Sequence, residues 1–336
     1  MTGMQKRKSV RQLGPMLAIG AILLSSLACG RNDTPSLVDV REDELSAPEA
    51  GGENASGMVM FQVGDVISSG DMVITVLGWD LPSGTDFIQP EEGYHFIVVD
   101  VIVVNRGTHP RTLSSVTQMK IKDSTGQLYS EDLAASIVAA GSSPGGEISP
   151  GERMRGQVAY QIRNVAEGLQ FVFDADPWGS GKVFIALGST PIHLPPPENL
   201  AGEIAQEVFR IGDTVALGEQ EFIVNAASFS TGGEFNRPEP GMQYLIVDVS
   251  ITNLGEVSIQ FSSLLQITVR DETGQIYPEH LGGTIAAGGD TPNGEIVPGE
   301  TIRGQMGFQV PLEVEGFLLV IDSEVWGYGK VMIQVP

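Results

Sequence analysis

The sequence predicts an all-β protein made of two tandem antiparallel β-sandwiches, and three observations carry that prediction. The chain repeats itself: shifted by about 148 residues, Phe61–Gly188 aligns with Phe209–Pro336 without a gap, about 49 of about 128 positions being identical. A unit that long is a duplicated domain and not a solenoid repeat. Inside each unit the dominant period is two residues. Leu245, Val247, Val249 and Ile251 share one side while Tyr244, Asp248, Ser250 and Thr252 alternate with them, as a strand with one core face requires. Met154, Gly156, Val158, Tyr160 and Ile162 alternate in the same way with Arg155, Gln157 and Gln161. Finally, Asp-x-Thr-Gly and Pro-Gly-Glu segments supply turns between strands, and no long helical period is present. About seven strands per unit are expected.

The elements follow in order. Residues 1–28 read as an export signal. Lys6, Arg7, Lys8 and Arg11 form a basic start, and Met16–Leu27 is an apolar run too short to span a bilayer comfortably. The run closes on Ser25-Ser26-Leu27-Ala28-Cys29-Gly30, which resembles the bacterial lipobox, where a small residue precedes a cysteine that receives diacylglycerol. Cys29 is the only cysteine of the chain, and Ser26 stands where that motif most often has Leu. The expectation is lipidation at Cys29 and a membrane-anchored, extracytoplasmic protein; plain secretory cleavage near Ala28 or an uncleaved anchor are the alternatives. Residues 29–58 are polar, rich in Asp, Glu, Ser, Pro, Ala and Gly, and read as a disordered tether. The first sandwich occupies 59–188 and the second 208–336. Between them, 189–207 contain Pro195-Pro196-Pro197, expected to be a stiff extended linker. The first copy of the long strand, Phe96–Val104, is apolar on nearly both faces. It is therefore a central strand or lies under a neighbour.

Charge and residue counts exclude several functions. The 336 residues carry 19 Lys+Arg against 42 Asp+Glu, net −23. Removing residues 1–28 takes four basic and no acidic residues, leaving 15 against 42, or −27. Such a surface repels phosphate backbones, so nucleic acid is no partner, and it repels anionic headgroups, so any membrane attachment runs through lipid on Cys29. One cysteine makes no intramolecular disulfide and no multi-cysteine metal site.

The shared segments carry a resemblance. Phe61-Gln-Val-Gly64-Asp65 corresponds to Phe209-Arg-Ile-Gly212-Asp213, and Phe87, Pro90 and Gly93 to Phe235, Pro238 and Gly241. Val99-Asp100-Val101 answers Val247-Asp248-Val249, Pro150-Gly151-Glu152 answers Pro298-Gly299-Glu300, and each copy closes on Gly-Lys-Val. Each copy resembles, over its full length, the telokin-like, immunoglobulin-type domain of unknown function numbered 4352. The resemblance implies immunoglobulin-like sandwiches in a bacterial lipoprotein or membrane-tethered secreted protein, with no agreed enzymatic activity and no catalytic residues to carry over. The copies differ most at Asp71–Leu81 against Glu219–Phe229.

Candidate chemistry is sparse. By parity Asp100 and Asp248 point away from the core face, as do Arg155 and Arg303 on the other long strand. Cross-strand ion pairs are expected there, a polar ligand site being the alternative. Glu147, Glu152, Glu295 and Glu300 bracket Pro-Gly turns, and with Asp123 and Asp271 could offer oxygens to calcium, but acidic turns are ordinarily only solvated. His95, His109 and His280 have no histidine at their duplicated positions and His193 lies in the linker, which argues against a shared metal centre. No metal and no cofactor is expected. No Gly-x-Ser-x-Gly elbow is present; a hydrolase would need His280, a hydroxyl such as that of Thr284 and a buried carboxylate in one cleft. Trp178 and Trp326 read as core plugs rather than a glycan platform, and the Gly-rich stretches Ala140–Gly146 and Gly288–Gly294 as mobile loops. The expected function is a non-enzymatic, lipid-anchored binding or scaffold protein of the cell envelope with a protein or small-molecule ligand. A calcium- or glycan-binding module and an envelope hydrolase are the alternatives.

Overall fold

The computed structural model describes residues 8–9, 36–37, 59–139, 141–175, 181–197, 200, 208–234, 236–323 and 329–336. Cys29, almost all of the signal and tether, and Trp178 and Trp326 lie outside the described residues.

Each repeat is a largely antiparallel β-sandwich, in which Phe61–Gln62 and Val208–Arg210 pair parallel with the last strand of their own sandwich. In the first, one sheet runs in the order Arg153–Arg163, Tyr94–Asn105, Met72–Asp80 and Ile67–Ser69, with Ser36–Leu37 at its end. The facing sheet runs Phe61–Gln62, Lys182–Ala186, Gln170–Asp174, Met119–Lys122 and Leu128–Tyr129. The second domain repeats this with Thr301–Pro311, Met242–Asn253, Gln220–Ser230 and Thr214–Leu217, edged by Lys8–Ser9, facing Val208–Arg210, Lys330–Val335, Phe317–Asp322, Ile267–Arg270 and Ile276–Pro278. Short strands raise the number above seven per domain. Among them are Gly145–Ile148, paired with Arg111–Ser114, and Gly294–Ile296, paired with Ile259–Phe261. The Gly-rich stretches are thus corrected in part: their far ends are hydrogen-bonded ribbon and not loose loop.

The alternation sets the core. Ile97, Val99, Val101 and Val103 point inward with Val158, Tyr160 and Ile162, against Phe171, Phe173 and Ile185 of the facing sheet. Burying these side chains supplies most of the stability, at about 25 cal/mol per Å² of apolar surface removed from water. Four short helices, Ser115–Gln118, Leu133–Val138, Ser263–Gln266 and Leu281–Ala287, were not legible as periodicity. Leu133–Val138 starts on Asp132, whose Oδ1 accepts from the Ala135 N–H at 2.9 Å, an N-cap that satisfies one free helical donor.

The outer face of the first domain explains why Phe96–Val104 is apolar on both sides. Phe96 and Val98 pack with Ala135 of the short helix and with Ala159. Ile102 and Val104 join Val66, Val73 and Leu77 around Leu200, which comes from the inter-domain linker. The linker is therefore more than a spacer. Its Ile192–His193 pairs antiparallel with Gly78–Trp79, and the Leu194 N–H donates to the Leu77 carbonyl at 2.8 Å. Gly78 permits this approach, since a Cβ there would lie 2.0 Å from the Ile192 oxygen. Both domains carry a bulge at this place, between Val76 and Gly78 and between Val224 and Ala226. Ala226 is exposed.

Candidate functional site

The Pro-Gly-Glu turn is the local device from which a buried ion cluster is built. Gly151 and Gly299 adopt φ of 76° and 79°, the left-handed region that glycine enters without a Cβ penalty. The glutamate then folds back: Glu152 Oε2 accepts from the Ser149 N–H at 2.6 Å, and Glu300 Oε2 from the Val297 N–H at 2.8 Å. Asn105 and Asn253 anchor the turns, each side-chain amide donating to two carbonyls, those of His109 and Ile148 or of Val257 and Ile296.

Beyond that shared geometry the two glutamates part company. Glu300 is exposed. Glu152 is buried between the domains, its carboxylate bonded to the Arg270 guanidinium and lying 2.7 Å from Lys330 Nζ, with 3%, 8% and 3% of the three side chains exposed. Lys330 Nζ also donates to the Glu147 carbonyl oxygen. Burial works to raise the Glu152 carboxyl, but the Arg270 and Lys330 charges outweigh it and hold the group below the usual carboxylate range. Burial likewise depresses the Lys330 ammonium, aided by Arg270 and opposed by Glu152. One buried acid thus offsets two buried bases, an arrangement that tolerates removal of the acid poorly.

Around this ion cluster the edge strand of the first domain meets a turn of the second. The Arg155 N–H donates to the Gly274 carbonyl at 2.8 Å, and Arg155 Nη1 to Thr273 Oγ1 at 3.2 Å. Ile276, 6% exposed, packs with the hydrophobic core of the first domain although it belongs to the second. A Cβ on Gly274 would lie 2.9 Å from the Arg153 carbonyl oxygen.

The structure brings each acid–base pair singled out in the sequence together. Arg155 Nε and Nη2 lie 3.1 and 2.6 Å from the two oxygens of Asp100. Arg303 makes the same fork to Asp248 at 2.8 and 2.8 Å, with Gln305 and Asn225 also donating to that carboxylate. Both pairs are diagonal, since Asp100 stands opposite Gln157 and Asp248 opposite Gln305. The Arg303 bonds, followed by those of Gln305 and Asn225, outweigh burial and bring Asp248 down to about 2.

The acidic turns have internal uses. Asp123 Oδ1 accepts from the Thr125 N–H, the Thr125 hydroxyl and the Gln127 N–H, while Oδ2 accepts from the Tyr129 hydroxyl and Arg163. Asp271 repeats the set with Thr273, Gln275 and Tyr277. These bonds, the Thr125 hydroxyl first and against the effect of burial, lower Asp123 to about 2. Among the described residues no group of three or more His, Cys, Asp or Glu is disposed to hold a metal. His280 is stacked on Tyr244 and its Nδ1 accepts from the Gly283 N–H at 3.4 Å, so it caps the helix Leu281–Ala287. The Thr284 hydroxyl bonds Glu279 and accepts from the Gly307 N–H. Each of the three groups that a hydrolase would need has a structural partner here. Reasoning from the sequence missed the Glu152–Arg270–Lys330 cluster, because an isolated Pro-Gly-Glu carries no sign of what docks on it.

A family model described as "Domain of unknown function (DUF4352)" matches residues 61–183 and again 209–331. The chain belongs to that family, with two copies of its domain. Among solved structures it is similar to a candidate lipoprotein (ycdA) of Bacillus subtilis, at 14% identity and a TM-score of 0.30, covering 36% of this chain and 38% of that one. It is also similar to the yjhA protein of Bacillus subtilis, at 21% identity and a TM-score of 0.31, covering 38% of this chain and 100% of that one. A third is an uncharacterized beta-sandwich protein of Clostridium difficile, at 18% identity and a TM-score of 0.29, covering 40% and 98%. No curated protein sequence matches the chain. Among the described residues no helix is long and apolar enough to cross a membrane.

Proposed function

We propose that this protein is a lipid-anchored, extracytoplasmic, non-enzymatic binding or scaffold protein of a bacterial envelope, in which two sandwiches are held together as one presenting body. The observation that carries this reading is the use made of the polar side chains. Asp123, Asp271, Glu279, His280 and Thr284 hold turns and a helix cap, and Glu152 holds the domain junction. Side chains spent in this way build a rigid surface, and binding by a sandwich is exercised through its loops and sheet faces. The calcium reading loses weight because both Asp123 oxygens already accept protein donors. Attachment through Cys29 is supported by the basic start, the short apolar run and the placement of the single cysteine.

The test is intact-mass and detergent-partition analysis of natively expressed protein, with a pull-down from solubilised envelope and Cys29→Ala as control. A diacylated mass beginning at Cys29, and a specific partner retained by the soluble variant, are the expected results. An unmodified, fully soluble species without a partner removes both anchor and binding role.

A further inference from the structure

The junction between the domains is formed once within the chain, yet both of its halves occur twice. On the donor side, Glu152 and Arg155 of the first domain correspond to Glu300 and Arg303 of the second. On the acceptor side, Arg270, Ile276 and Lys330 of the second domain correspond to Lys122, Leu128 and Lys182 of the first. Charge, apolar character and approximate size are retained at every one of these positions. The used halves are buried and the remaining halves are open: Ile276 is 6% exposed and Leu128 51%, while Arg155 and Arg303 are 22% and 62% exposed. The open acceptor is also concave. Lys122, Leu128, Lys182 and Phe184 line a shallow depression of about 390 Å³ on the first domain.

We infer that the chain binds a second copy of itself head to tail, the Pro298–Glu300 turn of one copy seating Glu300 between Lys122 and Lys182 of the next. The edge strand at Arg303 then lies along the Gly126–Leu128 turn, as Arg155 lies along Gly274–Ile276 within the chain. Charge complementarity selects this occupant: the depression carries Lys120, Lys122 and Lys182 against the single carboxylate of Asp174, which lies 3.5 Å from Lys182 Nζ, and Glu300 complements that net positive face as Glu152 complements Arg270 and Lys330. The contact is heterologous, so each added copy leaves one donor and one acceptor free, and growth continues unless the rotation closes a ring. Within the chain the linker raises the effective concentration of the matching halves; between chains that help is lost, so assembly depends on concentration.

Sedimentation of the full chain carrying Cys29→Ala, from about 1 μM to about 1 mM, reads this directly. The expected result is a weight-average mass that climbs with concentration. Glu300→Lys alone, and Lys122→Glu with Lys182→Glu, each weaken association by at least about tenfold, and all three changes in one chain restore it. Glu300 and Lys182 are exposed and Lys122 is half-buried over the Phe184 ring, and an unchanged unfolding midpoint establishes that the variants are folded. A monomer throughout the range, or an assembly indifferent to the reversals, overturns the inference. Because Cys29→Ala is present in every arm, either result leaves the anchoring and binding reading above untouched.

Discussion

At the scale of single residues, the clearest contrast is between two glutamates in identical turns. Removing the charge of Glu152 leaves Arg270 and Lys330 buried without their counter-ion, whereas the same change at Glu300 touches a solvated side chain. Glu152→Gln is expected to cost on the order of 3–5 kcal/mol, and Glu300→Gln to leave the unfolding midpoint nearly unchanged, as measured by urea denaturation of the two variants side by side. Equal effects would mean that the turn, and not the ion cluster, is what Glu152 supports. A second expectation concerns acid. Asp123 and Asp248 titrate near 2 in the folded protein against an ordinary value near 3.8. On acidification the unfolded chain takes up these protons first, so stability is full above about pH 5 and falls as pH drops towards 2. Asp248→Asn should flatten part of that slope in a pH series of melting curves; an unaltered slope would remove Asp248 from the account. The Asp100–Arg155 and Asp248–Arg303 contacts were accessible to parity alone, because strands alternate strictly and a charge off the core face must find a partner on the same side. Glu152 was not, because its partners are about 120 and 180 residues away.

At the scale of elements, the linker and the strand Met72–Asp80 form one unit. Val66, Val73, Leu77, Ile102 and Val104 surround Leu200, and their counterparts in the second domain are Thr214, Glu221, Asn225, Ser250 and Thr252. Five apolar residues answered by five polar ones is a sign that one outer face is covered and the other wet, and it was present in the alignment of the copies. Alternation along a strand tells which residues share a face, and not how that face changes between repeats. The same covering accounts for the divergence of Asp71–Leu81 from Glu219–Phe229. Gly78→Val should drive a side chain into the Ile192 carbonyl and destabilise the first domain by about 1–3 kcal/mol, with faster proteolysis inside residues 189–207. Ala226→Val, at an exposed position, is the control and should be tolerated. Indifference at both positions would show that the linker pairing contributes little. The short helices lay beyond sequence reading, since four to seven residues are too few to display a 3.6-residue period.

At the scale of the whole molecule, the two sandwiches share buried charge and buried apolar surface, so they are expected to melt together. Scanning calorimetry should give a single transition, and Glu152→Lys, which places a third cation among Arg270 and Lys330, should split it into two. One unsplit transition in that variant would mean that the linker alone couples the domains. The fold class and the duplication were legible from composition, period and self-alignment because they are properties of many residues at once; the docking of one copy on the other depends on a few side chains and emerged only in three dimensions.

The glycine at position 78 also bears on descent. A domain whose outgoing chain folds back across its own sheet needs no side chain there, and at the matching place of the second copy, which no strap crosses among the described residues, Ala226 stands exposed. What both copies share is the sandwich, and the strap lies across the first copy's sheet alone among the described residues. In the first copy the strap, the glycine and the apolar patch beneath it go together, and the second copy lacks that glycine and that patch. Longer relatives should carry glycine at this place in every copy followed by a strap, and polar outer faces only where no strap returns.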